Sequence, residues 1–295
     1  FLKGMNCGLK ARHPSALLIA EDSTAYPGVT RPVDEGGLGF DYKWDLGWMH
    51  DTLEFCQTQP DLRPRDRGKL LWSMHYFANE RYLLPLSHDE VVHGKASIVQ
   101  KMWGADEKDK YAQARTMYLY MFAHPGKKLN FMGNELAQFI EWNYTQGLDW
   151  VLLDYDRHRQ MQAFVRELNH FYLEHPQLWE NDSDWDGFQW IDCDDRDRSI
   201  VTFRRISRSG KELVVICNFC PVVRERYRVG LPKAGWYVPV LNTDEARFGG
   251  YGFMARPQKA EKEPYQKLPY SAEFYLPPMS VTYYRFQRAK PEAAE

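Results

Sequence analysis

Carboxylates stand directly behind three short apolar runs. Ala16–Ala20 (ALLIA) leads into Glu21, Tyr82–Leu86 (YLLPL) into Ser87-His88-Asp89-Glu90, and Lys128–Met132 (KLNFM) into Gly133-Asn134-Glu135. Carboxylates converging from separate strands suit acid–base work on a neutral polyol, in which one of them must hold a proton at neutral pH. Each could instead cap a following helix or solvate a loop. Three such strand ends and a histidine weaken that reading, although spacing alone does not remove it. A metal site competes, since His88, Asp89, Glu90 and His93 mix ligand types. Their order, HDEVVH, is not the HExxH that puts two histidines on one helix face, and Gly94 marks a loop. Cys217-x-x-Cys220 lies in an apolar strand-like run without a second pair and reads as structural. No GxSxG supports a nucleophilic serine, and no GxGxxG or GxxxxGK[ST] follows a strand. No metal and no cofactor are expected.

The elements that would position these groups follow from periodicity. The three runs, with a weaker strand at Gly39–Trp44 (GFDYKW), alternate with helical spacing at Gly47–Cys56, at Tyr111–Ala123 and from Met161 to Tyr172, where Pro176 stops the helix. Strand, loop and helix thus recur about four times in residues 1–183, as in βα units around a parallel sheet. Four units are half of a (β/α)8 TIM barrel, which takes roughly 250 residues and eight strands. Residues 184–288 change texture: SIVTFRRI, LVVICNF, RYRVGL, WYVPVLN, AEFYLP and SVTYYRF are short β-rich segments between turn residues. They predict an antiparallel β-sandwich, α/β followed by all-β, with 289–295 as a tail.

Composition narrows the partners. The 295 residues carry 38 basic and 40 acidic side chains, a net charge of −2 that gives no argument for nucleic acid or an anionic membrane. No apolar run approaches the ~20 residues of a membrane span. Five scattered cysteines argue against a disulfide framework and for a reducing, cytoplasmic setting. The chain starts with Phe1 and shows no signal segment, so either processing has removed something or a longer protein is expected. Trp44, Trp48, Trp72, Trp103 and Trp142 fall in or beside the loops of the βα half. Indole rings stack on sugar faces, and about a third of these are expected to face a ligand.

The segments IAEDSTAYPGV, GGLGFDYKWDLGWMHDTLEF, LPLSHDEVVHGK, HPGKKLNFMGNELAQFIEWN and LDW strongly resemble bacterial-type 1,4-α-glucan (glycogen) branching enzymes, in the α-amylase-like family of retaining glycoside-active enzymes. SHDEVVHGK and FMGNE are the specific parts; a bare HD after a strand is shared more widely. The resemblance runs over essentially the whole chain and implies a transferase that cuts an α-1,4-glucan and rejoins the piece to a 6-hydroxyl. It implies that Glu21 is the general acid/base, with a pKa raised by partial burial or a neighbouring carboxylate. Asp89 would be the carboxylate that stabilises the oxocarbenium-like transition state, and His88 a substrate-binding histidine. Trp44, Trp48 and Asp51 would lie along the glucan groove. The family's nucleophilic aspartate sits in an RVDA-like segment on the preceding strand, and no such segment occurs here. The chain therefore reads as the carboxy-terminal half, its four strands barrel strands five to eight, its partners an α-glucan and the missing amino-terminal half. A hydrolase of the same family and a non-catalytic glucan-binding module are the alternatives.

Retaining chemistry needs two carboxylates about 5–5.5 Å apart. The purified 295-residue chain is accordingly expected to form no α-1,6 branches from amylose. Iodine staining followed by debranching of the product checks this, and new 6-linked chains would refute it.

Overall fold

Residues 1–291 are described by a computed structural model. In chain order the first part comprises α1 (Leu2–Arg12), β1 (Ile19–Ala20), β2 (Tyr42–Trp44), α2 (Leu46–Gln57), the one-turn helices α3 (Arg63–Asp66) and α4 (Gly68–Leu71), β3 (Tyr82–Leu86), α5 (Ile98–Lys101), α6 (Glu107–Ala123), β4 (Lys127–Asn130) and α7 (Asp156–Glu174). The four strands form one parallel sheet in chain order. Only Ile19 and Ala20 of the expected ALLIA strand join it; Leu17 and Ile19 stay exposed at its free edge. The β1–β2 connection is a loop rather than a helix. Buried Glu80 staples that loop, its carboxylate accepting from the N–H of Val29 (2.8 Å) and Thr30 (2.7 Å) and from the Thr30 hydroxyl.

Local chemistry sets the helix starts. Asp45 caps α2: its Oδ1 accepts from Trp48 N–H (2.8 Å) and Tyr76 O–H (2.9 Å), satisfying a donor that the first turn leaves free. Asp106 caps α6 through Asp109 N–H (3.0 Å). Within α6, every residue from Tyr111 to Ala123 is buried, so the helix has no solvent face and its pattern is apolar or internally bonded all round.

The second part is all-β. β5 (Phe188–Asp192), β6 (Ile200–Ile206), β7 (Glu212–Asn218), β9 (Trp236–Asn242), β10 (Gln258–Lys259) and β12 (Ser280–Gln287) form an antiparallel sheet ordered β10-β9-β12-β7-β6-β5. β8 (Arg224–Leu231) pairs with β11 (Tyr270–Leu276) in a separate antiparallel ribbon. Side chains alternate along β7: Val214 and Ile216 join Val229, Leu231, Ala272 and Phe274 of the ribbon in a smaller core. Leu213, Val215 and Cys217 face the other way, into a core shared with Leu84 and Leu86 of β3 and with α6 and α7. The six-stranded sheet is therefore a middle layer, and the larger core crosses the boundary expected near residue 184. Of the expected tail, residues 292–295 lie outside the described residues. No helix among the described residues is long and apolar enough to cross a membrane.

Polar ties reinforce the shared core. Arg205, fully buried, donates to Gly187 O (3.1 Å), Ala123 O (2.8 Å), Asn181 O (3.3 Å) and the Asp182 carboxylate (2.7 Å), which Lys127 also reaches (2.9 Å). Burial pushes the Asp182 carboxyl up, but Arg205, Lys128 and Lys127 outweigh it and hold it below the ordinary value. Arg63, also fully buried, joins the Cys56 and Thr58 carbonyls to Phe219 O.

Two outcomes follow from these buried charges. Arg205→Met leaves the buried Asp182 carboxylate with only its lysine partners and takes the donor from three backbone carbonyls, so urea unfolding should show a loss of about 3–5 kcal/mol. Asp45 behaves in the opposite sense: burial raises its pKa to about 6, and its Oδ2 has no partner among the described residues. The folded state keeps that proton while the unfolded chain has lost it, so stability falls as pH rises from about 4 to about 6. Asp45→Asn retains the capping oxygen and removes the ionisation. It should gain roughly 2–3 kcal/mol at pH 7 and little at pH 4, measured by urea titration at both pH values.

Candidate active site

The parallel sheet brings the strand ends to one edge with a stagger. Ala20 pairs with Lys43 and Lys43 with Tyr82, so β3 runs four residues beyond the level at which β1 ends, about 13 Å along the strands. β4 ends level with β3, Asn130 opposite Leu86.

Glu21 follows β1 directly, is exposed, and enters no hydrogen bond or ion pair among the described residues. Its neighbour Asp22 is the tied carboxylate. Thr24 N–H donates to Asp22 Oδ1 (3.0 Å), and the buried Lys43 ammonium donates to Asp22 Oδ2 (2.9 Å) and Thr24 O (2.8 Å). The Lys43 bond holds the Asp22 carboxyl below its usual value. The partial burial expected of Glu21 is not provided by the described residues.

A cleft of about 660 Å³ opens beside Asp22, lined by Lys43, Trp44, Asp45, Arg31, Tyr76 and Tyr82 among others. Trp44 thus faces a cavity. Trp48 does not: it is 1% exposed, packed within the larger core with its ring centroid 5.9 Å from that of His124. The cap at Asp45 starts α2 so that Trp48 points inward, and no ring face is left for a sugar. Asp51 is half-buried on α2 beside His50 and Glu54, with ligand atoms of all three within 4.8 Å. Lys69 reaches Glu54 at 2.8 Å and offsets the charge there. Neither Glu21, His88 nor Asp89 lines the cleft. Of the other loop tryptophans, Trp72 is exposed and Trp103 lies over the Arg63 guanidinium.

Beyond β3, Ser87 opens a 3₁₀ turn, His88–Val91, with a reciprocal capping box: Ser87 Oγ accepts from Asp89 N–H (3.2 Å), and Glu90 Oε2 accepts from Ser87 N–H (2.5 Å). Glu90 is buried by that duty. His88 and Asp89 remain half-exposed, with Nε2 3.3 Å from Oδ1. The His88 ring rests near Phe131 (centroids 5.9 Å) and edge-on to Trp142 (6.4 Å), which itself meets Phe131 at 5.0 Å. His93 and Glu90 do not join the pair in a ligand cluster; among the described residues no metal-like grouping forms at this loop. At the third strand end, Gly133 (φ +93°) turns the chain in a conformation that suits glycine, and Glu135 accepts from Gly133 N–H (2.9 Å). Glu90 and Glu135 thus serve backbone amides, as caps and turns ask. Among the described residues, Glu21 and Asp89 accept no backbone hydrogen bond. Lys43, Phe131 and Glu141, which hold this neighbourhood, were not singled out from sequence, because their partners are remote in the chain; only Trp142 carried a signal, as a loop tryptophan.

Residues 190–287 match the alpha amylase C-terminal all-beta domain. Over 97% of its length the chain is 47% identical to the 1,4-alpha-glucan branching enzyme GlgB of Halothermothrix orenii, of which it covers 45%. It is 45% identical over 95% of its length to the protein of that name from Clostridium perfringens, covering 43%. It thus spans less than half the length of these curated relatives. Among solved structures, an alpha-amylase from Geobacillus thermoleovorans, complexed with acarbose, superposes with a TM-score of 0.67 at 13% identity over 98% of this chain and 57% of that one. A Nostoc punctiforme debranching enzyme gives 0.66 at 15% identity, over 97% and 55%. At such identities the likeness is one of fold. Across nearly all of its own length the chain is similar in sequence to 1,4-alpha-glucan branching enzymes, and residues 190–287 match the C-terminal all-beta domain of alpha amylases.

Proposed function

We propose that this chain is the carboxy-terminal part of a cytoplasmic 1,4-α-glucan branching enzyme of glycogen synthesis, with residues 1–183 completing a (β/α)8 barrel and 184–288 forming the β-domain behind it. The observation that carries the site is the sorting of its carboxylates. Glu90 and Glu135 are committed to backbone amides, whereas Glu21 and Asp89 are left to a ligand. A barrel is supported by four parallel strands in chain order with staggered ends. A preceding segment is supported by exposed Leu2, Met5 and Leu9 on α1 and Leu17 and Ile19 at the free edge of β1, apolar side chains that another part of the protein would cover.

In this reading an aspartate on that preceding segment attacks the anomeric carbon while Glu21 protonates the departing glycosidic oxygen. The covalent glycosyl–enzyme then forms an α-1,6 bond as Glu21 takes the proton of the acceptor 6-hydroxyl. Asp89 and His88 hold the hydroxyls of the distorted sugar, Trp44 offers a stacking face, and Asp51 lies toward the rim of the groove. Trp48 points from α2 into the core instead.

In the complete enzyme Glu21→Gln should lower kcat by about 10²–10⁴-fold while leaving maltoheptaose affinity essentially unchanged, as removal of a proton donor predicts. Turnover and equilibrium binding measured on the same preparation check this. Loss of binding would assign Glu21 a structural role.

A further inference from the structure

The segment after the His88–Val91 turn is held in a conformation that it does not maintain by itself. His93 (φ +58°), Gly94 (φ +81°) and Ala96 (φ +64°) all lie in the left-handed region, two of them with side chains that disfavour it. Such backbone persists only when its surroundings hold it, and here the support comes from the loop beyond β4. Glu141 Oε2 accepts from Gly94 N–H at 3.0 Å and Oε1 from Ala96 N–H at 2.8 Å. The carboxylate thus occupies an anion-binding concavity of the kind that backbone N–H groups in turn conformations create. The next residue completes the hold: Trp142 N–H donates to Val91 O (3.0 Å), and its ring stands edge-on to His88. Lys101 Nζ in turn donates to Ala96 O (2.6 Å) and to Glu90 O.

We infer that Glu141 is a positioning residue for the His88–Asp89 pair, its carboxylate locking loop 92–97 and thereby setting Trp142 against the His88 ring. This rests on the reading of His88 as a glucan-binding group. Glu141 touches neither the sugar nor the reacting atoms; it acts through a backbone that two amides anchor.

The test uses the 295-residue chain with maltoheptaose as the probe. Glu141→Gln keeps the shape but replaces one accepting oxygen with an NH2 group that faces an N–H. Amide exchange at Gly94 and Ala96 should quicken about tenfold, the size of one lost charge-assisted bond. Exchange at Val215 and Ile216 in β7 should stay unchanged, which reports that the fold is intact. Maltoheptaose affinity should fall about 3–10-fold, and the double variant E141Q/H88A should lose no more than H88A alone, as expected when one residue acts through another. Glu141→Asp, charged but too short to span both amides, should behave alike. Unchanged affinity in E141Q despite faster exchange overturns the positioning role, as do additive losses in the double variant. Unchanged affinity in H88A alone removes the glucan-binding reading of His88 and the inference built on it.

Discussion

Helix α6 has no side that meets water between Tyr111 and Ala123, and this constraint organises the molecule. A helix buried all round must be covered all round, so the parallel sheet and the six-stranded antiparallel sheet cannot form independent cores. Its polar side chains must also be satisfied inside. Arg115 donates to Thr243 O at 2.9 Å, Thr116 to Met279 O at 2.5 Å and Tyr120 to Leu70 O at 3.0 Å, and Tyr283 of β12 donates to Leu119 O. Each bond ties the helix to a neighbouring layer. Strands β3 and β4, which deliver His88 and Phe131, are fixed by the same packing through Leu84 and Leu86.

The same requirement for satisfied backbone sorts the acidic residues. Glu80, Glu90, Glu135 and Glu141 each meet amides that no helix or sheet ladder reaches. Asp45 does so at the cost of burying an ionisable group. What remains at the edge of the parallel sheet is a small set, Glu21, His88 and Asp89, whose hydrogen-bonding capacity is largely unspent. Unspent capacity distinguishes these groups from the other acidic residues, because a carboxylate committed to the backbone cannot follow charge as it develops.

Much of this was legible in the chain. Leu213–Phe219 reads as a continuous apolar strand, and β7 proves to be buried on both faces, the environment such a run needs. The 3.6-residue period placed α7, and Tyr111–Ala123 read as a helix, although its burial on every side was not legible because its apolar and polar residues are intermixed. The placement of Trp48 in the groove failed for a local reason: the Asp45 cap sets the rotation of α2, and that rotation turns the indole into the core. The shared core across residue 184 was hidden because strand alternation shows that a sheet has two faces, not what covers them.

The sequence alone determined which residue types stand behind which strands, since apolar period and turn residues are local properties of the chain. The strand-end pattern does not rank Glu21, Glu90 and Glu135, three chemically identical carboxylates each following an apolar run, and only the family resemblance singles out Glu21. Tertiary structure decides which of them meets a backbone amide, because a carboxylate is spent or free according to which N–H lies within about 3 Å of it. For Glu141 those partners sit 45 and 47 residues away in the chain, brought within reach only by the pairing of β3 with β4.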